Sequence, residues 1–337
     1  MPESSPVHRV PEVSVLVPCF NDGGTLDEAL ASVAAQTFGD LEVIVSDDAS
    51  QDSSIEIARR WAAGDSRFRL VTSENNQGAA RNWNRALEEA RGRFVTKLDA
   101  DDLLAPEFLE TLVAEYEKSP TPDVAFCRSV ESDLGGSRVS PWRGERALRA
   151  GGLDPACRRA ASGEAWLQLC FEDQQLWHSN AFLTTADRLR SMKGWDERLR
   201  CAQDTDLFLR ILADSTVVLH VPLVGVRARH RRGSVSDRAE REGWKTVESI
   251  LVHLEAIHRM IERRFELSPR LEWHWWRLWT ALMRVAQDRE VRARLPERLL
   301  DAVDAAATTL PAPPLSVRFR SRVRGAIHNI VRLGSRG

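Results

Sequence analysis

The sequence predicts an α/β fold, a mostly parallel β-sheet flanked by helices and followed by a helical C-terminal extension. Three observations carry this. Short apolar, β-branched runs such as VSVLVP at 13–18 and LEVIVS at 41–46 have the length and composition of strands buried on both faces. Between such runs lie segments whose apolar residues recur at helical spacing, and strands alternating with helices imply parallel pairing through right-handed crossovers. Beyond residue 237 the periodicity is mostly helical.

In chain order, the strand at 13–18 leads to TLDEALASVAAQ, where Thr25 and Glu28 have the spacing of a capping box and predict a helix start. The second strand, 41–46, precedes a helix in SSIEIARRWAA. RFRLV at 67–71 is a short third strand, followed by the loop TSENNQG and a helix over 79–90. RFVTKL at 93–98 is the fourth strand. DVAFC at 123–127 reads as another, whereas 129–163, rich in Gly, Arg, Ser and Pro, reads as a long surface excursion. A helix is expected over 204–213, a strand over 216–222, and VRARHRRGSVS closes this part of the chain. The expected division is residues 1–236 for the sheet domain and 237–337 for a helical region with a basic tail. In that region Val247, Ile250, Leu251, Leu254, Ile257 and Ile261 form one apolar face, and Trp273, Trp276, Trp279 and Leu282 form a stripe.

Ligands of open parallel sheets sit beyond the carboxyl ends of the strands. The polar residues there are Asn21 and Asp22, Asp47 and Asp48, Asn75 to Gly78, and Asp99 to Asp102. The last group crowds three carboxylates, Asp99, Asp101 and Asp102, into four positions. Like charges this close need compensation, and a cation from outside the chain is the expected source. Carboxylate oxygens without Cys or clustered His favour Mg²⁺ or Mn²⁺. The bland alternative is that Asp101 or Asp102 caps the next helix.

Composition narrows the function classes. The chain has 337 residues, 43% hydrophobic and 28% charged, with a net charge of −2, which argues against nucleic acid as a partner. Five cysteines without a C-x-x-C pair fit a reducing compartment and no zinc site. No signal peptide and no apolar run of membrane-spanning length is read, so a cytoplasmic location is expected.

VSVLVPCFNDGGTLDEALASVAAQTF, LEVIVSDDASQDSS, NNQGAARNWNRALEEARGRFVTKLDADD and GWDERLRCAQDTDLFLRI, in this order and spacing, resemble the family 2 glycosyltransferases of GT-A fold over residues 10–236. The resemblance implies an inverting transfer of a sugar from a nucleotide diphosphate sugar, usually a UDP-sugar, to an acceptor hydroxyl. Matched by position, Pro18, Phe20 and Asn21 would line the nucleoside pocket and Asp48 would read the base, with Gly78, Arg81 and Ala100 also on the nucleotide-sugar side. Asp99 and Asp101 would form the D-x-D pair at ribose and metal (Mn²⁺ or Mg²⁺), with Asp101 and His230 as metal-contacting residues. Asp204 stands at the place of the catalytic base, and read without the family it would be a helix N-cap. His230 lies among Arg227, Arg229, Arg231 and Arg232, which read alone form a solvated basic strand edge. The chain departs from the family at Gln203, usually acidic, and in 129–163.

Two other enzyme classes use a similar sheet. A haloacid dehalogenase-type phosphohydrolase places its D-x-D after the first strand, and a nucleotidyltransferase carries a Gly-rich basic loop near the N-terminus; neither pattern is present. A non-catalytic nucleotide-sugar or glycan-binding protein of the same fold is the alternative from another class. The expected acceptor is a glycan or lipid-linked glycan of cell-surface polysaccharide or glycolipid synthesis. The arginine-rich tail SVRFRSRVRGAIHNIVRLGSRG suggests peripheral contact with an anionic membrane, at the inner face of the plasma membrane.

Overall fold

A computed structural model describes residues 10–313 apart from 119, 137, 138, 142, 143, 151, 174–176, 231–243, 294 and 296. The first half alternates β1 (Val13–Cys19), α1 (Leu26–Ala34), β2 (Leu41–Asp47), α2 (Ser54–Gly64), β3 (Phe68–Thr72), α3 (Ala79–Glu89) and β4 (Phe94–Lys97). Every residue of β1, β2 and β4 is buried, including the polar Ser14, Glu42, Ser46, Asp47, Thr96 and Lys97. β1 pairs in parallel with both β2 and β4, and β3 joins the far side of β2. The chain reverses its direction of winding at β1, so the crevice between the ends of β1 and β4 is the place for a ligand.

Beyond β4 the sheet becomes mixed. The order is β3-β2-β1-β4-β9-β6-β10-β5. β9 (Phe182–Thr185) runs antiparallel between β4 and β6 (Val124–Asp133), and β10 (Val218–His230) runs parallel to β6. β5 (Leu103–Leu104), which starts immediately after the three aspartates, pairs antiparallel with β10 at Val226 and Arg227. The end of β10 is thereby laid beside the acidic turn.

Several local expectations are revised. Thr25 makes no side-chain cap at α1; its hydroxyl donates to the Asp22 carbonyl at 3.3 Å, and Glu28 pairs with Arg229 instead. A tertiary ion pair has displaced the capping box. The segment 129–163 is not a plain excursion, since it contains the second half of β6, β7 (Val139–Pro141), α5 (Gly144–Ala150) and β8 (Arg159–Ala161). β8 pairs with β10, and Arg128 on β6 holds Glu145 on α5 at 2.7 Å.

Further helices are α4 (Phe108–Tyr116), α6 (Gly163–Asp173), α7 (Ala186–Ser191), α8 (Gln203–Asp214), α9 (Trp244–Glu262), α10 (Pro269–Gln287), α11 (Arg289–Arg292) and α12 (Glu297–Thr309). On α9, Val247, Ile250, Leu251, Leu254 and Ile257 are buried as their spacing predicts, and Ile261 packs at the edge. On α10 the buried face is rotated from the expected stripe. Leu271, Trp275 and Leu282 are buried, while Trp273 and Trp276 stay half-buried, with the Arg277 guanidinium 4.8 Å from the Trp273 ring centroid. One continuous core joins residues of α9, α10 and α12 to those of the sheet. Among the described residues no helix is long and apolar enough to cross a membrane. The arginine-rich tail lies outside the described residues.

α3 is held on the sheet by a buried amide. Asn82 Oδ1 accepts from the Ser46 hydroxyl at 2.6 Å, and its Nδ2 donates to the carbonyls of Ser46 at 2.8 Å and Cys19 at 3.3 Å, joining the ends of β1 and β2. Removing it leaves buried polar groups unpaired. Asn82→Ala is expected to lower unfolding free energy by about 1–3 kcal/mol, read as a fall in the urea midpoint at unchanged slope.

Candidate active site

The acidic turn after β4 is compensated in part from within the chain. Lys97, the last residue of β4, has no exposed surface; its Nζ lies 2.8 Å from Asp99 Oδ1 and 3.5 Å from Asp204 Oδ2. The same ammonium sits 4.1 Å from the centroid of the Trp83 ring, on its face. Burial works to lower the Lys97 pKa, but the charges of Asp204 and Asp99 outweigh it and the net shift is upward. The two carboxylates thus favour the charged form of Lys97. Burial pushes the Asp99 carboxyl up, and Lys97, helped by His178 and a hydrogen bond from the Ser179 hydroxyl at 3.2 Å, brings it below its ordinary value.

Asp102 is turned inward. Its Oδ1 accepts from the Arg229 backbone N–H at 2.8 Å and its Oδ2 from Asn180 Nδ2 at 2.6 Å. Burial, then the charges of Asp99 and Asp101, raise its pKa well above the ordinary carboxylate value. Neither Asp101 nor Asp102 caps the next helix, because α4 starts after Glu107. The Arg229 side chain donates to the Asp101 carbonyl and pairs with Glu28, and it is only 7% exposed. The expected solvated basic edge is thus not solvated at this residue. Its neighbour His230 does face solvent, with Nε2 3.3 Å from Glu131.

Asp204 enters from the other side. It lies one residue inside α8, whose flanking residue is Ala202, so it is no N-cap. Its Oδ1 accepts from Trp195 Nε1 at 3.0 Å, and its side chain is 21% exposed. Burial raises its pKa, Lys97 opposes the rise and Asp99 adds to it, leaving it above the ordinary value. Trp195 is fixed by α3: Asn84 accepts its backbone N–H at 2.9 Å and donates to its carbonyl at 2.9 Å. Gly194 makes this approach possible. Its φ is 60°, and a Cβ there would stand 2.2 Å from Asn84 Oδ1.

The rim on the β1–β2 side carries the remaining expected residues. Pro18 is buried, Phe20 is 42% exposed, and Asn21 adopts φ 57°, with its Oδ1 accepting from the Gln51 N–H at 2.8 Å. Ala49, at the end of β2, has φ 64°. Such left-handed backbone at non-glycine residues clusters at functional rims. Asp48 is buried and accepts from the N–H groups of Gln77 at 2.9 Å and Gly78 at 2.8 Å and from Arg85 at 2.9 Å. These bonds organise the loop into α3. Arg81 pairs with Glu197 at 3.2 Å, and Ala100 is buried under the acidic turn.

Among the described residues no group of three or more His, Cys, Asp or Glu is arranged to hold a metal ion. A divalent ion shared between one carboxylate and ligand phosphates needs no such cage. Carboxylate oxygens without thiolates or clustered imidazoles, as in the turn from Asp99 to Asp102, are the donor type that suits Mg²⁺ or Mn²⁺. Sequence reasoning missed Lys97, Arg229, Trp195 and the Ser179–Asn180 pair. A lysine inside an otherwise apolar strand was the available signal for the first, since a buried ammonium must be paired.

The chain is similar to known proteins in sequence and in fold. The model of glycosyl transferase family 2 matches residues 14–164. The glycosyltransferase-named protein EpsE of Bacillus subtilis is 30% identical over 210 residues, covering 60% of this chain and 68% of EpsE. A chondroitin synthase of Pasteurella multocida is 26% identical over 215 residues, covering 62% of this chain but 20% of that much longer protein. In structure, S. aureus TarS 1–349 in complex with UDP has a TM-score of 0.61 at 17% identity, over 96% of this chain and 88% of that one. A mannosyltransferase of Pyrobaculum calidifontis, in complex with GDP-Man and Mn²⁺, has a TM-score of 0.54 at 20% identity, over 88% and 87%. The fold is thus of GT-A type, and the chain belongs to the family 2 glycosyltransferases.

Proposed function

We propose that the protein transfers a sugar, with inversion, from a nucleotide diphosphate sugar, a UDP-sugar in the first instance, to a hydroxyl of a glycan acceptor in cell-surface polysaccharide or glycolipid synthesis. The observation that supports this is the meeting of Asp99 and Asp204 on one buried lysine; we assign Asp99 to the nucleotide side and Asp204 to the acceptor side of a displacement. In such a displacement the acceptor oxygen bonds to the anomeric carbon as the bond to the diphosphate breaks. Asp204, partly open to water, takes up the hydroxyl proton. Lys97 opposes the rise that burial causes in the Asp204 pKa, and Trp195 aims its carboxylate. Asp99 and the rim from Pro18 to Asn21 receive the nucleoside, while Asp48 shapes the Gly78 loop and Arg81 stands at its edge. A divalent cation held by Asp101, with His230 on the adjacent β10 end, would supply positive charge to the leaving diphosphate.

Asp204→Asn keeps size but cannot accept the proton. It is expected to bind nucleotide like wild type and to lose about 10²- to 10⁴-fold in transfer rate. Initial rates of UDP release with acceptor present, beside calorimetric titration of UDP, decide this; full activity in the variant rejects the base assignment. Parallel rates with UDP-, GDP- and dTDP-sugars identify the donor.

Metal use has its own test. Mn²⁺ is expected to strengthen donor binding, a chelator to reverse the gain, and Asp101→Ala to abolish it with the fold retained. Equal donor affinity with Mn²⁺ and with chelator removes the ion from the reaction.

The pH dependence follows from the raised Asp204 pKa. The base is active when deprotonated, so the rate falls as pH drops through its folded pKa, which lies above the ordinary value of 3.8. Lys97 lowers that pKa. Lys97→Met is therefore expected to move the acid limb of the kcat profile to higher pH, at a stability cost on the order of 3 kcal/mol for an uncompensated pair. A pH–rate profile with an unmoved limb would separate Lys97 from the base.

A further inference from the structure

The start of α8, which carries Asp204, is held by a residue of a different helix. Ala202, which precedes α8, provides no side-chain cap. Glu248 on α9, 2% exposed, reaches across in its place. Its Oε1 accepts from the Arg200 N–H at 2.9 Å, and its Oε2 accepts from Arg200 at 3.1 Å, Cys201 at 2.8 Å and Ala202 at 3.0 Å. Three successive amides thus converge on one buried carboxylate, at the helix end where the backbone dipole favours an anion. The Asp206 N–H in turn bonds the Ala202 carbonyl at 2.8 Å, so the clamped segment is continuous with the first turn of α8.

A second tether fixes the rotation of α8 against the Trp195 loop. Asp206 pairs with Arg210 at 2.6 Å, and Arg210 donates to the carbonyls of Met192 and Gly194, each at 2.8 Å. Asp204 must satisfy Trp195 on this loop and Lys97 on β4 at once. The loop is anchored by Asn84 and Lys97 by the sheet, and Glu248 holds the backbone that leads into α8.

We infer that Glu248 is a positioning residue for the transfer reaction, setting the place of the Asp204 carboxylate from the C-terminal helical region. This rests on Asp204 being the base. A displacement of about 1 Å in a reacting group can cost about 10²-fold. The hydrogen bonds of Glu248 go to residues 200–202 and, among the described residues, none goes to the nucleotide rim, so its loss should reach the rate and spare donor binding.

The test is a double-mutant cycle of Glu248→Ala with Asp204→Asn in the full chain, reading kcat and the UDP dissociation constant. Glu248→Ala is expected to lower kcat by about 10- to 100-fold and to leave UDP affinity within about twofold. In the Asp204→Asn background it should cost nothing further, because the group it positions is already disabled. Unchanged kcat in Glu248→Ala overturns the inference, as does a parallel fall in kcat and UDP affinity, or an equal loss in both backgrounds. Should Glu248→Ala fail to fold, Glu248→Gln, which keeps the shape and one accepting oxygen, is expected to lose about 3- to 10-fold in kcat with UDP affinity held; full kcat there overturns the inference too. The Asp204→Asn single variant reports separately on the base, so its full activity would sink that reading whatever Glu248 does.

Discussion

A lysine ammonium shut away from water, with a carboxylate from each side of the crevice against it, is the constraint around which this site is arranged. Lys97 could not be buried without Asp99 and Asp204, and neither carboxylate could sit so deep without Lys97. The cluster dictates what surrounds it. Trp83 supplies a π face to the buried ammonium, while a Trp195 N–H and a Ser179 hydroxyl bond the two partly exposed carboxylates. Lys97 ends the strand that pairs with β1 at the point where the winding reverses, so the charge cluster stands at the crevice itself.

The parallel half of the fold was legible in the sequence because β1, β2 and β4 are built on short, largely apolar stretches and three helices separate the first four strands. The antiparallel half was not. β5, β7, β8 and β9 have two to four residues each, too few to show a period, and their pairing is decided by partners distant in the chain. Long-range competition also explains the failed capping box: Glu28 has the right spacing for a local bond, but Arg229, two hundred residues later, takes it. On α10 the choice between Trp273 and Trp275 as the inward side could not be made from periodicity, since aromatic residues lie on both faces.

The acidic positions of the site were readable because they follow strands, and the rule that ligands gather at strand ends singled them out. What compensates them was less visible. The three aspartates suggested a cation from outside, and part of the answer lay two residues upstream in the same strand. Arg229 was hidden for a different reason: in a run of basic residues Arg227 and His230 are exposed while Arg229 is buried, a pattern that simple alternation along a strand does not give.

The shared core of the sheet and the C-terminal helices sets a limit on rebuilding this protein from parts. α9 contributes buried side chains to the common interior and a carboxylate to the backbone just ahead of α8, so the two portions are not interchangeable modules. A chimera that joins this sheet to the helices of a relative would keep its strands and its aspartates. It would nevertheless begin α8 without an anchor, unless an acidic side chain returned to the place of Glu248.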